Sequence, residues 1–442
     1  MARPFITVTP CRAMMDEQVS ITVSHLTPNQ PITLLGTITD EKDITWTSYA
    51  HYRADERGFI HVMTQESLGG TYQGVEPMGL FWSLQANRDN ARLRWRDIDK
   101  PLVFHIKGYP EFLQGPPKDL DPFAMATTER WYLGTSTNWE NVKTGRIKGK
   151  LFTPNGPGPY PAIIDLYGGG GTFDYRAALL ASHGYVTLSL LHVLFEDIGY
   201  EGADLDYFEE AIDYLSHHPK VNRDYIAMYG ISAGAVRALE VATETTRQIK
   251  CVVSINASYL KYINIITRSV PLNPDLFGEA KEKTWNSTLA DLFTITDEDI
   301  QEGRVLAVHN LECPVLIVAG SDDQLYHADE HATKIKNHMK RAGKGHLCRV
   351  LRFPKAGHLL EPPFTPHHYS SPISVPKDKA QGLEDIPQDK TLYPMLIWGG
   401  EVVHHAKAQE RAWKAILHFL ETNLRQTIPT EGTGDVSERA KL

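Results

Sequence analysis

Gly230-Ile-Ser-Ala-Gly234 lies between an apolar run, Ile226-Ala-Met-Tyr229, and a helical pattern that continues through Val236-Arg-Ala-Leu-Glu240. Gly-x-Ser-x-Gly in a strand–turn–helix setting is the signature of a nucleophile elbow. The constraint is steric. The serine sits in a strained backbone at the tip of a tight turn, and side chains flanking it would collide with the neighbouring strand and helix. Gly230 and Gly234 remove that bulk, so the turn presents the Ser232 hydroxyl at the carboxyl edge of a sheet, among the free N–H groups of a helix N-terminus. The bland alternative, a glycine-rich turn with an ordinary serine, accounts for the pentapeptide but not for its setting.

A serine hydroxyl is a weak nucleophile and needs a base, itself oriented by an acid. The chain order that goes with this turn is Ser, then Asp or Glu, then His. Ser321-Asp322-Asp323 follows the apolar run Val315-Leu-Ile-Val-Ala-Gly320, and His358 follows Val350-Leu-Arg-Phe-Pro-Lys-Ala-Gly357. Both positions fall just past a strand's end, although spacing alone does not separate Asp322 from Asp323. Nineteen histidines make any single one weak evidence. His217, His218, His367, His368, His404 and His405 are expected to be solvated or structural. For the oxyanion, Ala233 supplies the N–H after the nucleophile, and Gly168-Gly-Gly-Gly171, after Ala162–Tyr167, is positioned to supply the second, from Gly168 or Gly169. The glycine run lacks the Lys-Ser/Thr of a phosphate loop and an acidic ribose partner, and no HExxH or CxxC is present, so neither nucleotide nor metal binding is expected.

The rhythm of the chain changes once. From Ile6 to about Arg130, short alternating segments (Val19–Val23, Ile32–Ile38, Leu102–Ile106) are separated by turns such as Asp40-Glu-Lys-Asp43 and Asp55-Glu-Arg-Gly58. No amphipathic helix intervenes, which predicts an all-β sandwich over 1–138. The aromatic-rich segment Pro77–Leu84 belongs to its core. After about Trp139, apolar strand candidates alternate with helical patterns at Tyr175–Ser182, Leu205–His217, Val236–Thr245 and Ala406–Leu424. This predicts a mostly parallel sheet with helices on both faces over 139–425. Two stretches break the pattern, 259–310 and the Pro- and His-rich 362–396. Segments this long inside a compact domain serve as lids or binding loops, and the first has the position of a cap.

The net charge of −9, from 45 Lys+Arg and 54 Asp+Glu, argues against a nucleic-acid surface, which rests on clustered cations. Four dispersed cysteines (Cys11, Cys251, Cys313, Cys348) fit a reducing compartment without structural disulfides. The first ten residues hold no apolar core of signal-peptide length, and no run is long enough for a membrane span. The polar stretch 426–442 reads as a flexible tail. It ends Ala440-Lys441-Leu442, close to the Ser-Lys-Leu address read by peroxisomal import receptors, so the peroxisome is expected, with the cytoplasm as alternative.

Over about residues 5–425 the chain resembles the acyl-CoA thioesterase / bile acid-CoA:amino acid N-acyltransferase family. The markers are Gly69-Gly-Thr-Tyr-Gln-Gly-Val-Glu-Pro-Met-Gly-Leu-Phe-Trp-Ser-Leu84, Tyr175-Arg-Ala-Ala-Leu-Leu-Ala-Ser-His-Gly-Tyr185, Asp206-Tyr-Phe-Glu-Glu-Ala211, Gly357-His-Leu-Leu-Glu-Pro-Pro-Phe364 and Trp398-Gly-Gly-Glu401. The resemblance implies an α/β hydrolase preceded by an immunoglobulin-like β-sandwich, with a triad of Ser232, Asp323 and His358 and no cofactor. It implies hydrolysis of acyl-CoA to fatty acid and CoA through an acyl-enzyme. The alternatives are an acyl-CoA:amino acid N-acyltransferase using the same nucleophile and, third, a carboxylesterase. The family's thioesterases carry Ser as nucleophile and its bile-acid conjugating enzymes carry Cys; this chain has Ser. It departs from the family in its uniform glycine run and in Ser371–Asp389, which resembles an insertion. Because acyl-CoA is anionic and the chain is acidic overall, a local Lys/Arg cluster is expected at the mouth of the cleft.

Overall fold

The computed structural model describes residues 2–117, 119–169, 172–193, 203–269, 289–372 and 395–425. Gly170, Gly171, part of the proposed 259–310 cap, most of the 371–389 stretch and the tail with Ala440-Lys441-Leu442 lie outside the described residues.

The first 131 residues form two sheets. One has three strands in the order Phe5–Thr9, Ser20–Ser24, Ile60–His61. The other has six, in the order Arg12–Met14, Ala124–Trp131, Leu102–Pro110, Pro31–Thr39, Thr45–Arg53, Gln85–Ala86. Burial alternates along Phe5–Thr9 and Ser20–Ser24, as a half-covered sheet requires. Ile21 and Val23 of the smaller sheet share one core with Ile32, Leu34, Tyr52, Phe104 and Ile106 of the larger. The two sheets therefore make a β-sandwich. The aromatic segment is core, as expected, but Gly79–Trp82 is a single helical turn with all four residues buried.

The second part is an eight-stranded sheet. Its strands are numbered here as β1 (Thr137–Thr144), β2 (Ile147–Pro154), β3 (Tyr160–Leu166), β4 (Val186–Leu190), β5 (Val221–Ile231), β6 (Cys251–Ile255), β7 (Val315–Gly320) and β8 (Cys348–Phe353). They lie in the order β1-β2-β4-β3-β5-β6-β7-β8; β1 and β2 run antiparallel to their neighbours and the remaining pairs are parallel. The helices are α1 (Tyr175–Ser182), α2 (Leu205–Ser216), α3 (Ala233–Glu244), α4 (Tyr262–Ser269), α5 (Asp297–Gln301), α6 (Ala328–Arg341) and α7 (Val402–Leu424).

Successive residues of β5 divide between the two faces. Ala227, Tyr229 and Ile231 pack with α1 and α7, in a core continuous with the sandwich. Ile226 and Met228 pack with α2, α3 and α6. A period of two on a doubly covered strand gives this division. The sheet order, the helices on both faces and the turn from β5 into α3 together make an α/β-hydrolase fold. Among the described residues, no helix is long and apolar enough to cross a membrane.

Buried histidines fasten the loops at the strand ends. His192 Nε2 bonds the Tyr167 carbonyl at 2.9 Å, and His331 Nδ1 accepts the Tyr259 N–H at 2.8 Å. His405 Nδ1 accepts the Gly357 N–H at 3.1 Å while its Nε2–H donates to the Leu359 carbonyl at 2.9 Å. Burial lowers the pKa of His192 and His331 to about 4 and of His405 to about 3. In the unfolded chain these rings titrate near 6.5. A depressed folded-state pKa means that protonation favours unfolding, so the stabilisation is complete above about pH 6.5 and is lost as the pH falls. Between the two ranges the unfolded chain binds about three more protons, a slope of about 4 kcal/mol per pH unit. Thermal unfolding followed from pH 7 to 4.5 is expected to show a steep fall in Tm below pH 6.5; a flat profile would contradict the assignment of these rings as neutral.

Candidate active site

Ser232 stands between β5 and α3 at φ 59° and ψ −127°. Its N–H donates to the Ile255 carbonyl at 2.9 Å, which ties the strained residue to the end of β6. A Cβ on Gly230 would overlap the Gly234 carbonyl, and one on Gly234 would overlap the carbonyls of Leu166 and Tyr167 at the end of β3. Both glycines are thus required by close approach, as the spacing predicts. The two cannot be substituted without moving β3 or α3.

Gly168 lies directly over the serine: a Cβ built on it would be 3.2 Å from Ser232 Cβ and 3.6 Å from its Oγ. Gly169 faces open space. Among the described residues the N–H groups of Ala233 and Gly168 take no backbone acceptor. The structure therefore brings Ala233 and Gly168 to the serine.

His358 and Asp323 are both fully buried, with His358 Nδ1 2.8 Å from Asp323 Oδ2. The other carboxylate oxygen accepts the N–H groups of Leu325 and Tyr326 at 2.8 and 3.1 Å. The pair left open by spacing is resolved by geometry. Asp322 turns away, accepting from the Gly400 N–H at 2.7 Å and from Gln324 Nε2 at 2.6 Å. The His358 ring is held between Trp398, stacked at 5.6 Å, and Tyr326, edge-on at 5.3 Å.

His358 Nε2 is buried and makes no hydrogen bond among the described residues. Ser232 and His358 therefore make no hydrogen bond to each other. Catalytic hydrogen bonds of free enzymes commonly tighten only once substrate is bound.

Several contributors had no signal in the sequence. Asn256, at the end of β6, donates to the carbonyls of Gly357 at 3.2 Å and His358 at 2.6 Å, and accepts the Gly320 N–H at 2.8 Å. One amide thereby braces the loops carrying the acid and the base. Glu361, buried three residues past His358, pairs with Arg92 at 2.8 Å and accepts from the Tyr167 hydroxyl. Arg92 also donates to Tyr167. This joins the histidine loop, the residue before Gly168 and the segment 88–97 of the N-terminal region. Glu361 and Trp398 fall within stretches already singled out by resemblance, whereas Asn256 and Arg92 do not. The six histidines set aside from the sequence take structural or surface positions: His405 supports the Gly357 turn, His367 bonds the Gly399 carbonyl, His368 packs on Trp46, His218 accepts from Lys220, and His217 and His404 are exposed.

Asn256→Ala would leave one N–H and two carbonyls without their partner in a buried setting. A loss of about 2–4 kcal/mol is expected in denaturant unfolding, together with reduced turnover. Unchanged stability would show that the two loops hold their positions without the amide.

Residues 16–144 match the family described as Acyl-CoA thioester hydrolase/BAAT N-terminal region, and residues 203–426 match BAAT / Acyl-CoA thioester hydrolase C terminal. Among similar proteins, the Mus musculus bile acid-CoA:amino acid N-acyltransferase is 36% identical over 95% of this chain and 97% of its own. The Mus musculus peroxisomal succinyl-coenzyme A thioesterase is 35% identical over 94% of this chain and 96% of its own. The Homo sapiens acyl-coenzyme A thioesterase 1 is 32% identical over 98% of this chain and 100% of its own. With identity of this degree running through both the sandwich and the hydrolase sheet, the chain belongs to the acyl-CoA thioester hydrolase/BAAT family.

Proposed function

We propose that this protein hydrolyses acyl-CoA thioesters to the free acid and coenzyme A through an acyl-serine intermediate. The observation that carries the reading is the buried Asp323–His358 pair, its Nε2 unengaged, at the sheet edge that also holds Ser232 on a strained turn. Relatives described as acyl-CoA and succinyl-CoA thioesterases support the substrate class.

In this mechanism Ser232 Oγ attacks the thioester carbon as His358 Nε2 takes its proton. Asp323 keeps the ring in the tautomer with hydrogen on Nδ1 and stabilises the imidazolium. The N–H groups of Ala233 and Gly168 hold the oxyanion. The C–S bond then breaks and His358 returns the proton to sulfur. A thiol is acidic, near pKa 8.5, so its departure needs less assistance than that of an amine. Water enters, gives a proton to His358 and attacks the acyl-serine, and the released serine takes that proton back. The buried site raises the strength of these interactions by excluding bulk water.

Ser232→Ala is expected to keep the unfolding profile and lose about four to six orders of magnitude in turnover, and to abolish labelling by a fluorophosphonate probe. Near-wild-type hydrolysis by that variant would overturn the mechanism. Mass analysis of acyl-CoA incubated with glycine or taurine separates the two family activities: free acid supports the hydrolase, whereas an amide product would make the chain a transferase with the same nucleophile.

Peroxisomal residence is part of the same reading, supported by the relative described as peroxisomal and by the sequence Ala440-Lys441-Leu442. A fluorescent fusion at the N-terminus is expected to colocalise with peroxisomes and to become cytoplasmic when the tripeptide is removed. Diffuse signal from the intact fusion would sink this assignment.

A further inference from the structure

Arg92-Leu-Arg-Trp-Arg96 alternates arginine with apolar residues. Leu93 and Trp95 pack against the core on one side, as the period of an extended segment allows. The three guanidinium groups converge on one ring on the other side: Arg92, Arg94 and Arg96 lie 5.8, 5.5 and 4.8 Å from the centre of Phe173. Phe173 belongs to the loop that begins at Gly168, and its ring packs on Tyr167 at 4.7 Å. A segment from the sandwich therefore sets three cations against the loop that covers Ser232.

Only Arg92 is neutralised, by Glu361. Asp165 pairs with Arg176, Asp174 with Lys150 and Asp97 with Lys100, while Glu41 accepts the backbone N–H groups of Arg96 and Asp97 at 2.9 and 2.7 Å. Arg94 and Arg96 have no ion pair among the described residues, and Arg94 Nε is buried without a hydrogen-bond partner. Burial, followed by repulsion from Arg92, lowers the Arg94 pKa. Two uncompensated guanidiniums beside a third, on a chain of net charge −9, form a site that an anion would relieve.

We propose that Arg94 and Arg96 form a subsite for the phosphates of coenzyme A, holding the thioester's leaving group over the glycine loop; the assignment rests on the thioester-hydrolase reading above. In an acyl-CoA the pantetheine arm carries the phosphates well beyond the reacting carbon.

The test compares wild type with Arg94→Gln, Arg96→Gln and the double variant. For hydrolysis of an acyl-CoA, the double variant is expected to raise KM about 10–100-fold with kcat nearly unchanged, and to flatten the dependence of KM on salt. Hydrolysis of the same acyl group on pantetheine, which lacks the phosphates carried on the adenosine half, is expected to be unaffected. Lysine at both positions is expected to recover part of the affinity. An equal loss with acyl-pantetheine would overturn the proposal by making the role structural. A loss confined to dicarboxylic acyl-CoA, sparing monocarboxylic chains of the same length, would overturn it in favour of an ω-carboxylate site. Titration of free coenzyme A by calorimetry needs no turnover. Binding weakened about tenfold or more in the double variant supports the subsite even if the wild type hydrolyses no thioester, and unchanged binding refutes it.

Discussion

Ser232 at positive φ is the constraint around which the second half of the molecule is arranged. A non-glycine residue in that region costs on the order of 1–3 kcal/mol and persists only where its surroundings over-determine it. Here the surroundings do so from three directions. The Ile255 carbonyl takes the serine N–H, the Gly230–Gly234 contact lets α3 begin immediately, and the β3 carbonyls of Leu166 and Tyr167 close against Gly234. The same crowding that strains the serine brings Gly168 over it, so the proposed nucleophile and a proposed oxyanion donor are positioned by a single packing event.

The acid and the base are positioned differently, by hydrogen bonds between loops. Asn256 ties the Gly320 N–H to the carbonyls of Gly357 and His358, Asp322 takes the Gly400 N–H, and His405 takes the Gly357 N–H while donating to Leu359. Each of these bonds joins segments that follow different strands. Because all of these groups except the half-buried Asp322 are buried, losing a partner carries a desolvation penalty rather than an exchange with water. The Asp323–His358 geometry is thus a property of the whole sheet edge rather than of two neighbouring side chains.

This difference explains what the sequence could convey. Strands buried on both faces and helices with regular apolar spacing leave a local record, and α1 spans the residues its pattern predicts, Tyr175–Ser182. The elbow is likewise written in consecutive residues. By contrast, α6 is strongly polar and buries only five side chains, Ala328, His331, Ala332, Ile335 and Met339, so its apolar stripe is thin. Helix α7 begins at Val402, ahead of the pattern's Ala406, with an exposed first turn that carries no periodic signal. Spacing left Asp322 and Asp323 equivalent because both follow β7; the resemblance pointed to Asp323, and the hydrogen bonds to Gly400 and His358 tell the two apart. Asn256, Arg92 and Glu361 act through partners far away in the chain, and no local pattern encodes such a pairing.

The junction of Arg92, Glu361 and Tyr167 bears on why the sandwich is present at all. A buried ion pair is weak evidence of stability, since desolvation offsets much of the attraction, yet removing one partner strands the other charge and is costly. Arg92 comes from the segment that follows the sandwich strand Gln85–Ala86, Glu361 from the loop of His358, and Tyr167 immediately precedes Gly168. A displaced sandwich would leave Glu361 charged and unpaired next to the histidine loop. The arrangement therefore selects one docking of the two parts over others more strongly than it stabilises the fold, and that docking ties the segment after the sandwich strand to the loop that carries His358.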